Sequence, residues 1–167
     1  TSNHDENSWN GTEYERMGDA YPLFAAFTYI VPGMPLIYTG QISGNHHRLQ
    51  FFEKDVIDTP AEGQAPEFAL YAKLNAFRKA NNALWSNPNG APMYRLDVDN
   101  DAIFACVRPA EANTVVAIMN MSDKEQTVHL NMGEYAGEYT CPCGKAKTLA
   151  EQETLTLQPW QYKLLRK

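Results

Sequence analysis

Cysteine is scarce in this 167-residue chain: there are three, an odd number, which argues against a disulfide framework. Cys106 falls in the middle of an expected strand and reads as a small buried hydrophobe. Cys141 and Cys143 flank Pro142, and a bridge across so short a loop is expected to be strained, so reduced thiols in a turn are predicted. A structural zinc site takes about four ligands, and no nearby Cys or His pair completes one, so no metal ligands are assigned. Basic charge is also in short supply, with 14 Lys and Arg against 20 Asp and Glu. That balance excludes the basic footprint on which nucleic-acid binding depends. No apolar run approaches the roughly 18 residues of a membrane span, so no membrane partner is expected. Internal repeats and low-complexity tracts are missing too, as are an initiator Met, a signal peptide and a lipidation signal. The chain opens inside a motif and is expected to be a piece of a longer protein.

What is present is ordinary globular composition, 44% hydrophobic and 20% charged, enough for one domain or two small ones. Residues 1–16 lack periodicity and read as a loop. Asp19 is the expected N-cap of a helix with Pro22 in its first turn. Leu23, Phe24, Phe27, Ile30 and Val31 then follow helical spacing, and the segment is apolar nearly all round, which predicts burial on most sides. Val31-Pro32-Gly33 should stop it, because the residue before proline avoids the α region. Pro35–Thr39 reads as a short apolar strand of a parallel sheet. A polar segment follows from Gly40 to Gln64, broken by Gly44, Pro60 and Gly63. A second helix is expected from about Pro66, with Leu70, Leu74, Phe77 and Leu84 on its stripe and cations in its second half.

Asn87-Pro88-Asn89-Gly90 is the clearest break, and the expected domains are 1–88 and 89–167. Beyond it the period switches from about 3.6 to 2. Candidate strands are 93–97, 102–108, 114–121, 127–132, 137–140, 154–157 and 161–165, separated by turn signals. Short strands at such spacing predict an antiparallel sandwich.

The opening run, Thr1-Ser2-Asn3-His4-Asp5-Glu6-Asn7-Ser8-Trp9-Asn10-Gly11, mixes amides, an imidazole, carboxylates and one ring. Such a run suits the floor of a cleft for a polyhydroxylated ligand better than a core. Taken with Val31-Pro32-Gly33-Met34-Pro35-Leu36-Ile37-Tyr38-Thr39-Gly40-Gln41, it resembles the last catalytic motif and final barrel strand of the α-amylase family of glycoside hydrolases. The resemblance covers about residues 1–85. It implies the terminal portion of a (β/α)8 barrel followed by the family's β-rich tail, and an α-glucan as the partner of the parent enzyme. Many relatives follow Gly40-Gln41 with Glu where this chain has Ile42, which puts the local hydrogen bonding in question.

Retaining cleavage of a glycosidic bond takes a nucleophile and a general acid, and a third carboxylate helps stabilise the oxocarbenium-like transition state. The resemblance maps that third group onto Asp5, the sugar-binding imidazole onto His4 and the amide that supports the turn onto Asn3. Trp9 is a candidate for stacking on a sugar face; packing at the barrel rim is the competing reading. For Asp5 taken alone the plain alternative is a helix cap, and for His4 a solvated loop residue. The nucleophile and acid of the family lie on earlier strands, so this chain alone is expected to be inactive. Calcium is common in the family, but its usual ligands also lie upstream and none is assigned here. His46-His47-Arg48 reads as surface loop, and Phe51-Phe52-Glu53-Lys54-Asp55 as a loop packing its rings down.

Two other readings compete. A glucanotransferase or sucrose-isomerising relative would use the same motif. A non-catalytic carbohydrate-binding or structural module would instead present aromatic rings from the tail, where Tyr135, Tyr139, Trp160 and Tyr162 are available. The apolar strand at 35–39 has neither barrel neighbour in this chain, which predicts self-association as a symmetric dimer.

Overall fold

A computed structural model describes residues 1–57 and 65–167, which form two compact units. The first comprises Thr1–Tyr29 with Met34–Ala76, and the second Ile30–Gly33 with Phe77–Lys167. The turn residues expected at Pro60 and Gly63 lie outside the described residues.

The first unit is helical from nearly its first residue, which corrects the loop expected over residues 1–16. A π-helical turn, Glu6–Asn10, is followed by helix α1, Glu13–Met17. Thr12 and Glu15 build a reciprocal cap on α1: Glu15 N–H donates to Thr12 Oγ1 at 3.3 Å, and Thr12 N–H to Glu15 Oε2 at 2.7 Å. Both elements are only five residues long, too short to print a hydrophobic period. Asp19 is not an N-cap; it sits inside a 3-10 turn, Gly18–Ala20, that runs straight into helix α2, Tyr21–Ile30. Helix α2 ends where Val31-Pro32 forbids another helical residue, and most of it is buried, Leu23, Ala25, Ala26 and Ile30 completely. Helix α3, Pro66–Ala80, buries Tyr71, Leu74 and Phe77, three residues apart along one face. Leu84 lies beyond that helix, fully buried in a 3-10 turn over Asn82–Leu84.

The strand expected at Pro35–Thr39 does not form. Among the described residues none offers it a ladder, and the Tyr38 N–H donates instead to the side chain of Gln41 at 2.6 Å. Met34 and Leu36 are exposed as a result. At the bend that follows, Gly40 adopts φ +90°, and a Cβ there would fall 2.8 Å from Asn45 Cβ, so no other residue fits.

The second unit is an antiparallel sandwich. Nine strands are formed among the described residues: β1 Tyr94–Arg95, β2 Asp97–Val98, β3 Ile103–Pro109, β4 Thr114–Asn120, β5 Gln126–Asn131, β6 Gly137–Thr140, β7 Ala146–Leu149, β8 Gln152–Leu157 and β9 Tyr162–Arg166. Six make one sheet in the order β1-β3-β4-β9-β6-β7, and three make the other, β2-β5-β8. The run expected as one strand at 93–97 is split at Leu96: Tyr94 pairs with Val107 in the large sheet, whereas Val98 pairs with Leu130 in the small one. Alternation decides the core. Ile103, Ala105 and Val107 of β3 and Val116 and Ile118 of β4 meet Val128 and Leu130 of β5 and Leu155 and Leu157 of β8. The opposite face of β3 and β4 is buried as well, with Cys106, Arg108, Ala117 and Met119 all at or near zero exposure.

Two features of this unit differ from expectation. Strand β7 was hidden because Lys145-Ala146-Lys147 carries no apolar alternation, and only Leu149 at its end reaches the core. Cys141 and Cys143 are joined by a disulfide rather than reduced. Gly144 N–H donates to Cys141 O at 2.9 Å and Cys141 N–H to Lys145 O at 3.0 Å. That tight turn holds the two Cα atoms 5.2 Å apart, inside the range a bridge accepts. At the Asn87–Gly90 break, Gly90 lies so close to Trp85 that a Cβ would stand 1.7 Å from its carbonyl oxygen.

Candidate functional site

The opening motif stands at the head of the π-helical turn. Asn3 organises it: its side-chain oxygen accepts from Glu6 N–H and its backbone oxygen from Asn7 N–H, each at 2.9 Å. Arg16 ties the same turn down through Glu6 at 3.0 Å and through the Thr1 carbonyl at 2.5 Å. Asp5 occupies the N-cap position of the turn, yet its carboxylate makes no capping hydrogen bond. It points to solvent with 60% of the side chain accessible, beside His4 at 69%, and His4 Nε2 lies 3.6 Å from Asp5 Oδ2. A carboxylate and an imidazole presented side by side, neither spent on the fold, are available to a ligand.

A second loop is fastened to this turn. Asn7, buried, accepts from Leu49 N–H at 2.7 Å, and Ser8 Oγ donates to Leu49 O at 2.7 Å. Arg48 grips Glu15 through Nε and a terminal nitrogen, at 3.0 and 3.1 Å. That guanidinium, together with the Thr12 N–H, holds the Glu15 carboxyl down to a pKa of about 2. Asp55 closes the loop from its far side by accepting from Gln50 N–H at 2.9 Å and Val56 N–H at 2.7 Å. These backbone bonds hold its carboxyl below the usual range.

The loop carries two phenylalanines, and they do not pack down. Phe52 is 81% exposed and Phe51 36%. With Trp9, itself 58% exposed, they form a cluster in which Phe51 lies 5.2 Å from Trp9, 4.7 Å from Phe52 and 5.8 Å from the His4 ring. Ser8, Trp9, Leu49, Phe51 and Phe52 line a cleft of about 310 Å³, with Arg48 and Glu53 on its wall.

Beneath, Gln41 of the Gly40-Gln41 pair is buried and donates to Thr1 Oγ1 at 2.5 Å and to the Tyr71 hydroxyl at 3.2 Å, while Tyr21 donates to Tyr71 at 2.9 Å. Burial, with Tyr71 and Glu13 adding to it, pushes the Tyr21 phenol well up. Ile42 simply occupies an exposed position of the 3-10 turn Gln41–Ser43. His46 stacks on Tyr14 at 3.8 Å, His47 faces Asp55 at 3.7 Å, and no group of three His, Cys, Asp or Glu able to hold a metal exists among the described residues. In the sandwich, Tyr139 is buried and bonded to Tyr135 O, and Tyr135, Trp160 and Tyr162 are half-buried, so they do not present an open row of rings.

No family model and no curated protein sequence matches the chain. Solved structures do. The maltogenic α-amylase AmyB of Thermotoga neapolitana superposes with a TM-score of 0.72 at 15% identity, over 89% of this chain and 36% of its own. A cyclomaltodextrinase follows with 0.70 at 17% identity, over 90% and 26%. The α-amylase of Geobacillus thermoleovorans, complexed with acarbose, gives 0.64 at 16% identity, over 94% and 34%. The fold is that of the α-amylase family. This chain spans about a third of the length of the α-amylase structures it matches. No barrel is formed among the described residues, since every strand belongs to the antiparallel unit. The sequence singles out Asn3, His4, Asp5 and Trp9 as candidates, and the structure places beside them a loop, 48–55, that the sequence did not. The available signal was Phe51-Phe52, two adjacent rings followed at once by three charges, a context in which both cannot easily be buried.

Proposed function

We propose that this chain is the carboxy-terminal part of an α-amylase-like retaining glycoside hydrolase acting on α-glucans. The observation that carries the reading is the pairing of Asp5 and His4, accessible and uncommitted, on a turn that Asn3 braces from behind. In this role the Asp5 carboxylate accepts hydrogen bonds from hydroxyls of the sugar being cleaved. As the ring gains positive charge, those bonds and the carboxylate's own field strengthen, which lowers the barrier rather than merely tightening the substrate. His4 donates to the same sugar. The nucleophile and the general acid belong to the rest of the enzyme, so the isolated chain turns over no starch.

The test is Asp5→Asn in the full-length enzyme. It is expected to lower kcat by several orders of magnitude with almost no change in Tm, because the side chain holds nothing in the fold. His4→Ala is expected to cost on the order of 10²-fold, the scale of one hydrogen-bonding group. Near-normal kcat in Asp5→Asn would remove Asp5 from the site.

A further inference from the structure

We infer that Trp9, Phe51 and Phe52 form a separate aromatic subsite for a glucosyl residue of an α-glucan, next along the chain from the sugar at His4 and Asp5. The inference rests on the functional reading above and adds three residues' worth of specificity to it. Exposed rings of this size are costly to leave in water, and here three cluster with their edges and faces mixed, at 75° between Phe51 and Phe52 and 42° between Trp9 and Phe51. Clustered as they are, all three rings still keep surface open to solvent. A pyranose is their natural occupant: its C–H face is apolar, and its equatorial hydroxyls reach sideways for polar groups. Those stand around the cleft as Ser8, Gln50 and Glu53.

Size and charge narrow the choice. At about 310 Å³ the cleft lies at the small end of ligand sites, the scale of one ring rather than of a long helix or a peptide. Its cation, Arg48, is already neutralised by three hydrogen bonds to the Glu15 carboxylate, which disfavours a phosphate or carboxylate ligand. The subsite is continuous with the motif, because the Phe51 ring contacts the His4 ring on one side and Trp9 on the other. It is also stiff, since Asn7 and Ser8 bind the loop backbone at Leu49 from the turn that bears Trp9.

Maltotriose titrated into the isotope-labelled chain tests the inference, read at the indole N–H resonances of Trp9, Trp85 and Trp160, with Trp9→Phe for assignment. The expected result is a saturable shift of Trp9 alone. Phe52→Ala, at a side chain too exposed to support the core, is expected to weaken it about tenfold. Asp5→Asn is expected to leave the Trp9 shift in place, so loss of kcat in that variant and loss of this shift fail separately. A flat Trp9 signal, an unchanged affinity in Phe52→Ala, or equal binding of cellotriose would overturn the subsite. So would a Trp9 shift that follows protein concentration without sugar, which would give the rings to a second copy of the chain.

Discussion

The Arg108 guanidinium donates twice to the carbonyl oxygen of Ala91, at 3.0 Å from Nε and 2.8 Å from a terminal nitrogen. It donates further to Ile30 O at 3.0 Å and Trp85 O at 3.3 Å, and it is almost wholly buried. A buried cation surrounded by carbonyls rather than carboxylates is a fastener: it satisfies the last carbonyl of α2, at Ile30, and two loop carbonyls, at Trp85 and Ala91. Burial lowers its pKa from the ordinary arginine value without discharging it.

Arg108→Met should therefore be among the most damaging single changes in the sandwich unit. It strands two buried acceptors, Ile30 O and Ala91 O, and a part-buried one, Trp85 O; at about 1–3 kcal/mol for each buried acceptor left unpaired, a loss of at least about 2 kcal/mol is expected. Urea unfolding checks it. A midpoint within experimental error of the parent chain would mean water replaces the guanidinium at no cost.

Acid should loosen the turn that presents the site before it unfolds the rest. Glu15 has a folded pKa of about 2, well below the ordinary glutamate value of 4.5. A depressed carboxyl contributes its full stabilisation above the unfolded value and loses it as pH falls through the folded one. The window is thus about pH 4.5 down to about 2. Amide exchange at Thr12 and Glu15 is expected to accelerate across it, and Glu15→Gln to exchange at the accelerated rate throughout. Equal protection of these amides at pH 5 and pH 2 would contradict the Arg48–Glu15 clamp.

Thiol counting separates the three cysteines. Burial pushes Cys106 up to about 12, so its thiol should stay silent in the native chain. Cys141 and Cys143 should be silent as well until reduced. Without reductant, a thiol reagent is expected to find no group in the native state and one after denaturation. Two reactive thiols in the untreated native chain would mean that the hairpin is open.

Much of this was legible in the sequence. Val31-Pro32-Gly33 stops α2 because of steric rules that act locally, and β5 and β8 show themselves because burial repeats every second residue along them. What hid was short or non-local. The Thr12–Glu15 cap was present as a spacing, but five helical residues give no period to confirm it. The Pro35–Thr39 run has strand composition, yet a strand exists only with a neighbour, and Tyr38 found a side chain instead. Asn3, His4 and Asp5 could be named from their order. The aromatic loop could not, because it is brought there by Leu49, some forty residues on, whose N–H donates to Asn7 and whose carbonyl accepts from Ser8.

The split at Leu96 bears on how this protein behaves when crowded. By sending Tyr94–Arg95 to one sheet and Asp97–Val98 to the other, the chain finishes an edge of each with a strand of only two residues. So short a border exposes few unpaired amides and carbonyls to a passing chain. The opposite border of the large sheet, β7, carries Lys147, and a lysine there must be desolvated before another strand can add. Three of the four margins are blunted in this way, which leaves β8, six residues long at the edge of the small sheet, as the one a second chain could extend.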